Sequence, residues 1–287
     1  MHIVRQILKM NICRWRLGLR KSFDTINTSN NKLSYILTLP PSTVHHSLFS
    51  PMNWRWLKHP SAWGVSLESL KTDYGAPYFE AALAQFVAQY QNPQSTKAQI
   101  EWAASNIHIP FQNLSVFHCI KYVSYDPYSL EKGENVVDSI HAQPAHLDKY
   151  GKVIPGWFDT GLVNYKDGGM IGVKGHFVGR VRCVFVLPLD TLTHWFSHLG
   201  HIPLKYLAYV EWFTPFPTSP DQNHQLYKIS KLQVHGEQQV SIVPIQIICQ
   251  SVHLYLKFGL VAWDEWKSAN VLDLCQTFYY KFSYHHL

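Results

Sequence analysis

Charge is scarce in this chain: only 15% of its 287 residues are Asp, Glu, Lys or Arg, against roughly a quarter in an ordinary globular protein. Disorder throughout the chain needs the opposite balance, so low charge with 46% hydrophobic residues excludes it. Long apolar runs are missing too. No stretch reaches about 18 consecutive apolar residues, so no membrane-spanning helix is expected. Paired cysteines are absent. Cys13, Cys119, Cys183, Cys249 and Cys275 stand alone and odd in number, which excludes a zinc knuckle and points to free thiols in a reducing compartment. The catalytic sequence marks are also lacking: no P-loop, no Rossmann glycine pattern, no GxSxG and no HExxH. There is no internal repeat and no low-complexity segment. No cofactor is expected.

The net charge of +6 has the sign of a nucleic-acid binder until it is located. Residues 1–32 hold Arg5, Lys9, Arg14, Arg16, Arg20, Lys21 and Lys32 against Asp24 alone, and the remaining residues carry 18 basic and 18 acidic side chains. The excess is therefore confined to the N-terminal arm, and the rest is neutral. Residues 1–23 are Arg-rich and partly amphipathic, as a mitochondrial presequence is; a disordered basic arm is the plainer reading. Residues 24–65 continue as an irregular connector, with Pro40, Pro41, Pro51, Pro60 and the cluster Trp54, Trp56, Trp63.

Residues 66–110 read as a helical hairpin. Pro77 suits a first turn. Phe79, Ala82, Leu83, Phe86, Val87 and Tyr90 recur at helical spacing, and a second helix spans 96–105. Residues 111–287 change to strands. Apolar and β-branched runs cover 114–124, 134–145, 154–164, 171–188, 205–213, 225–234 and 238–249, with turn sequences at 148–152 and 166–169. A short helix is expected over 190–199, and a C-terminal helix over 263–275. Pro244 marks an edge or a bulge. The expected fold class is α+β: a helical hairpin followed by an antiparallel β-meander that forms a small SH3/BAH-like barrel or a bent sheet.

Four constellations have the residue types that chemistry needs. Segment 173–183 alternates an apolar face, with Gly175 and Gly179, against a face bearing Lys174, His176, Arg180 and Arg182. Alternate strand residues lie about 6.7 Å apart. The cations would therefore form a row fit to track phosphates, or an ordinary solvated face. The glycines call for a bend or a close backbone approach. Tyr206, Tyr209 and Trp212 crowd one strand and would cage a peptide or a methylated lysine, unless they are core. Asp138, Asp159 and Glu211 fall on strands, where convergent carboxylates would hold Mg²⁺ in a nuclease. His194, His198 and His201 have a helical metal-pair spacing without the glutamate of a metalloprotease. Cys119 beside His118 is not a nucleophile–base pair, since adjacent strand residues face opposite ways.

The segments NLSVFHCIKYVS, VDSIHAQPAHLDKYGKVIPGWFDTGLVN, GVKGHFVGRVRCVFVLP, KYLAYVEWFTPF, SIVPIQIICQSVHLYLKFG and SANVLDLCQTFYY together resemble the C-terminal region of Plavaka-type transposon proteins, fungal relatives of the CACTA elements. The resemblance spans roughly residues 66–287. It implies a non-catalytic accessory domain, detached from the zinc-finger and nuclease regions that lie upstream in that family. It also implies a nuclear location and a DNA or chromatin partner, for which the strand pattern of 173–183 offers Lys174, His176, Arg180 and Arg182 as the nucleic-acid contacts. No catalytic residue is carried over.

Overall fold

The computed structural model describes residues 59–125, 135–165, 172–199, 205–257 and 264–281. Residues 1–58 and the 166–169 turn lie outside them. Strand β1 (Ala62–Ser66) leads directly into helix α1 (Leu67–Thr72), whose first turn is capped by the Ser66 hydroxyl accepting from Ser69 N–H. The connector expected up to residue 65 thus ends in a strand. Its backbone pairs with β2 (Asn113–Phe117) across the intervening helices.

Helices α2 (Phe79–Gln91) and α3 (Lys97–Ser105) form the expected hairpin. Phe79, Ala82, Leu83, Phe86 and Val87 are buried along one face of α2. Thr96 and Gln99 close a reciprocal capping box that starts α3. This layer packs on a seven-stranded antiparallel sheet through Leu70, Phe79 and Leu83 against Val116, Phe185 and Ile242. Phe79 meets Phe185 edge-on with ring centroids 5.0 Å apart.

At the centre of that sheet lies β9 (His176–Val186). One edge pairs with β10 (Tyr206–Trp212). The other is shared: β2 takes 184–186 and β8 (Thr160–Asn164) takes 176–180. A short hairpin of β12 (Gln233–Val234) and β13 (Glu237–Gln238) leads into β14 (Val240–Pro244), which lies beyond β10 and ends at the proline on the sheet's outer edge, and β15 (Ile248–Val252) pairs with β8. Neighbours in the sheet are often far apart in sequence, so the expected meander is corrected to a sheet with crossovers, and it does not close into a barrel. The fold is mixed α+β with mostly antiparallel strands.

The run expected as one strand over 114–124 breaks at His118, and its second half, β3 (Cys119–Tyr125), joins a separate sheet with β4 (Asn135–Gln143) and β7 (Trp157–Phe158). Between β4 and β7, β5 (His146–Leu147) and β6 (Val153–Ile154) make a two-stranded hairpin across the 148–152 turn. Helix α4 (Leu189–Phe196) runs into a 3₁₀ turn at Ser197–Leu199. In the described part of the expected C-terminal helix only a single turn, α5 (Val271–Leu274), is helical. After it, β17 (Thr277–Tyr280) becomes the middle strand between β11 (Tyr227–Ser230) and β16 (Leu254–Leu256). It buries Phe278 against Leu162, Val178 and Phe213.

Candidate functional site

The predicted phosphate-tracking row is not a solvent face. Strand β9 is covered on both sides, and its residues are buried nearly throughout. Lys174 is exposed, but His176 and Arg180 are buried, and Arg182 keeps only partial exposure. A register shift between Tyr209 and Val210 pairs Cys183 with Tyr209 and Val181 with Val210, which leaves Arg182 as the extra residue of a β-bulge. Arg182 Nε donates to Glu211 at 2.9 Å and its Nη2 to Asp273 at 2.7 Å. Both terminal nitrogens of Arg180 grip the same Asp273 carboxylate. The Phe158 ring lies beside both guanidiniums, 5.8 Å and 5.1 Å from their carbons, and Lys231 donates to the Asp273 carbonyl at 2.6 Å. Arg180 and Arg182 are neutralised inside the fold by Asp273 of the C-terminal segment and Glu211 of β10. Neither a phosphate stripe nor a solvated face describes them.

Burial and ion pairing act in opposite directions on these groups. Desolvation is the largest influence on Arg180 and moves its pKa down, with the Asp273 hydrogen bond opposing it. For Arg182 desolvation is again the largest single influence, yet Glu211 and Asp273 together outweigh it and the pKa moves up. Burial raises the Asp273 carboxyl, but the two arginines outweigh it and hold the group below its usual value. His176 is shifted down by burial, and a hydrogen bond with the Lys174 backbone opposes part of that shift.

The aromatic cage is also corrected. Tyr209 and Trp212 are fully buried, and Tyr206 is partly buried with its ring edge-on to Phe117. The Trp212 indole donates to the Ser241 hydroxyl at 3.0 Å. These side chains build the core on either face of β10, which leaves no opening for a peptide or a methylammonium ion.

The three strand carboxylates do not converge on a shared site. Asp138 accepts from Ser251 N–H at 2.6 Å, from the Ser251 hydroxyl at 2.7 Å and from Ser139 N–H at 2.8 Å, stitching β4 to β15. Glu211 belongs to the arginine cluster. Asp159 engages His141 and the Trp157 indole. His194 and His198 are exposed on α4 and its 3₁₀ extension, and His201 lies outside the described residues. Among the described residues no group of three or more His, Cys, Asp or Glu is arranged to hold a metal ion, and no helix is long and apolar enough to cross a membrane.

What the surface does offer was missed by sequence reasoning. The β5–β6 hairpin and β7 expose Leu147, Tyr150 (79%), Val153 and Trp157 (56%). Leu147 and Val153 are direct cross-strand partners. Asp148 pins the turn, its side chain accepting from Tyr150 N–H and Lys152 N–H at 2.8 and 2.9 Å. Lys149 lies over the Tyr150 ring at 4.8 Å. The DKYGK sequence marked the turn, but alternation cannot tell an apolar face that is covered from one that is not.

No curated protein and no solved structure matches the chain. A family model described as a domain of unknown function, DUF6830, matches residues 25–233, most of the chain, and the chain belongs to that family.

Proposed function

We propose that the chain is a non-catalytic accessory domain of the Plavaka transposon type, and that it binds an extended apolar segment of a protein partner on its β5–β6 hairpin. The observation that carries this reading is the exposure of Leu147, Tyr150, Val153 and Trp157 within one short stretch. Clustered large apolar side chains on a surface are the usual mark of a contact site. Among the described residues the hairpin strands pair only with each other, so their outer edges can accept the backbone of an added strand while Leu147 and Val153 receive its side chains. The transposon kinship, the nuclear location and the SH3- or BAH-like descent of the β-rich part belong to the same proposal. They are supported by the sequence resemblance and by the predominance of short antiparallel strands.

Nucleic acid is the less favoured partner for the described residues. Arg180 and Arg182 are engaged by Asp273 and Glu211, and Lys149 is drawn onto Tyr150. In this reading any DNA contact falls to the basic residues of 1–32.

A random-peptide display selection against the full chain tests the proposal, with the triple variant Leu147→Ser, Tyr150→Ser, Val153→Ser as counter-target. The enriched peptides should carry apolar residues at alternate positions and bind the variant at least about tenfold more weakly, a loss of about 1.4 kcal/mol. Peptides that bind both proteins equally would remove the hairpin from the proposal. Duplex-DNA anisotropy at two salt concentrations covers the other class. Affinity that collapses with salt and disappears in Lys174→Ala would replace the peptide with a phosphate backbone.

A further inference from the structure

The solvent-side face of the β3–β4–β7 sheet lines up a thiol from β3, an imidazole from β4 and a carboxylate from Asp159, the residue between β7 and β8. Cys119 is the direct cross-strand partner of His141. Ala142 N–H donates to the His118 carbonyl at 2.9 Å. The 119–141 pair beside it is therefore of the non-hydrogen-bonded kind, in which opposing side chains come closest. On the other side of His141 stands Asp159. Its Oδ2 lies 2.8 Å from the imidazole Nδ1 and accepts from His141 backbone N–H at 2.8 Å. Its Oδ1 accepts from the Trp157 indole at 2.6 Å. The Trp157 ring stacks on the imidazole with centroids 4.1 Å apart. The carboxylate fixes the proton on Nδ1 and leaves Nε2 as the nitrogen with a free lone pair.

Cys119 differs from the other described cysteines. Cys183, Cys249 and Cys275 are buried, whereas Cys119 is partly exposed. Burial pushes its thiol pKa up; Lys121 on the same strand pulls it down and Asp159 pushes it up. Tyr122, on the inner face, also feels the Cys119 charge. A thiol held in its protonated form is a weak nucleophile until a base takes its proton. The Cys119 sulfur lies 3.8 Å from the Ile120 carbonyl, and His141, its direct partner on β4, supplies the ring base across the strand pair.

We infer that Cys119, His141 and Asp159 form a base-assisted thiol that exchanges with small-molecule disulfides. In the step, the Cys119 S–H bond breaks and its proton passes to Nε2 of His141. The sulfur attacks one sulfur of the disulfide, a new S–S bond forms, and the original S–S bond breaks. The departing thiolate takes the proton back from the imidazolium, and Cys119 is left as a mixed disulfide. Asp159 is a positioning residue that orients the imidazole and balances its transient charge. All three residues lie within the family-matched span.

The test is the reaction of the full chain with 4,4′-dithiodipyridine, a neutral disulfide, followed by absorbance across pH, with mass spectrometry assigning the modified cysteine. The fastest phase should map to Cys119 and vanish in Cys119→Ser. His141→Gln should slow it by about tenfold or more. In that variant the rate should climb about tenfold per pH unit, as for a thiol ionising alone; the wild-type profile should be shallower. Asp159→Asn should slow the reaction while keeping the wild-type shape. Three results would each overturn the inference: a His141→Gln rate and profile equal to wild type, a fastest phase on another cysteine, or a wild-type profile with the full thiol-ionisation slope. The last needs no variant, so it holds even if a substitution disturbs folding.

Discussion

A Cβ built on Gly179 would stand 2.2 Å from Cγ1 of Val210 and 3.4 Å from the Trp212 ring, closer than any side chain tolerates. The glycine is there because β10 presses its side chains onto β9 at that point. Gly179→Ala should therefore lower the unfolding free energy by about 2–3 kcal/mol, read as a shift in the urea midpoint, whereas Lys174→Ala on the exposed approach to the strand should change it by less than about 0.5 kcal/mol. Alternation in 173–183 marked the glycines as points of close approach, and that expectation agrees with Gly179. It could not show that Arg180 is buried, because the carboxylate that makes burial tolerable stands 93 residues away in sequence. Asp159 and His141 were legible singly, but strand register makes them neighbours of Cys119, and the sequence does not state register.

Among elements, the C-terminal segment was read least well. A helix was expected where one helical turn is followed by a strand. QTFYY gives only four strand residues, too few for alternation to outvote a helical pattern beside them. The helical hairpin was legible down to Thr96 because capping and apolar spacing are local properties. The 114–124 run was legible as strand, but its break at His118 was not, since the two halves answer to different sheets. Asp273 secures the C-terminal segment to β9, and Asp273→Asn keeps its shape while removing its charge. Breaking a fully buried pair costs about 3–5 kcal/mol. Asp273 is 45% exposed, so screening reduces the expected loss to about 2 kcal/mol. Hydrogen exchange should report it as faster opening of the β17 amides.

For the molecule as a whole, acid sensitivity follows from its histidines. His176 and His118 both have pKa values lowered chiefly by burial. As pH falls below about 6.5 the unfolded chain takes up protons on these groups while the folded chain refuses them. Their contribution is complete above that pH and is lost as pH drops toward the folded values. Asp273, also shifted down, acts in a lower window and gives way only below the ordinary carboxylate range. Urea midpoints should decline from pH 7 to pH 5, and His176→Phe should flatten part of that decline; an unchanged slope would remove His176 as its source. The pairing of the β9 arginines with Asp273 also has a temporal side. Translation delivers Arg180 and Arg182 more than 90 residues before Asp273, with only Glu211 arriving in between. Arg182 can find Glu211 as soon as β10 is made, but a growing polypeptide presents Arg180 as an uncompensated guanidinium to the polyanions around a ribosome until Asp273 has been added.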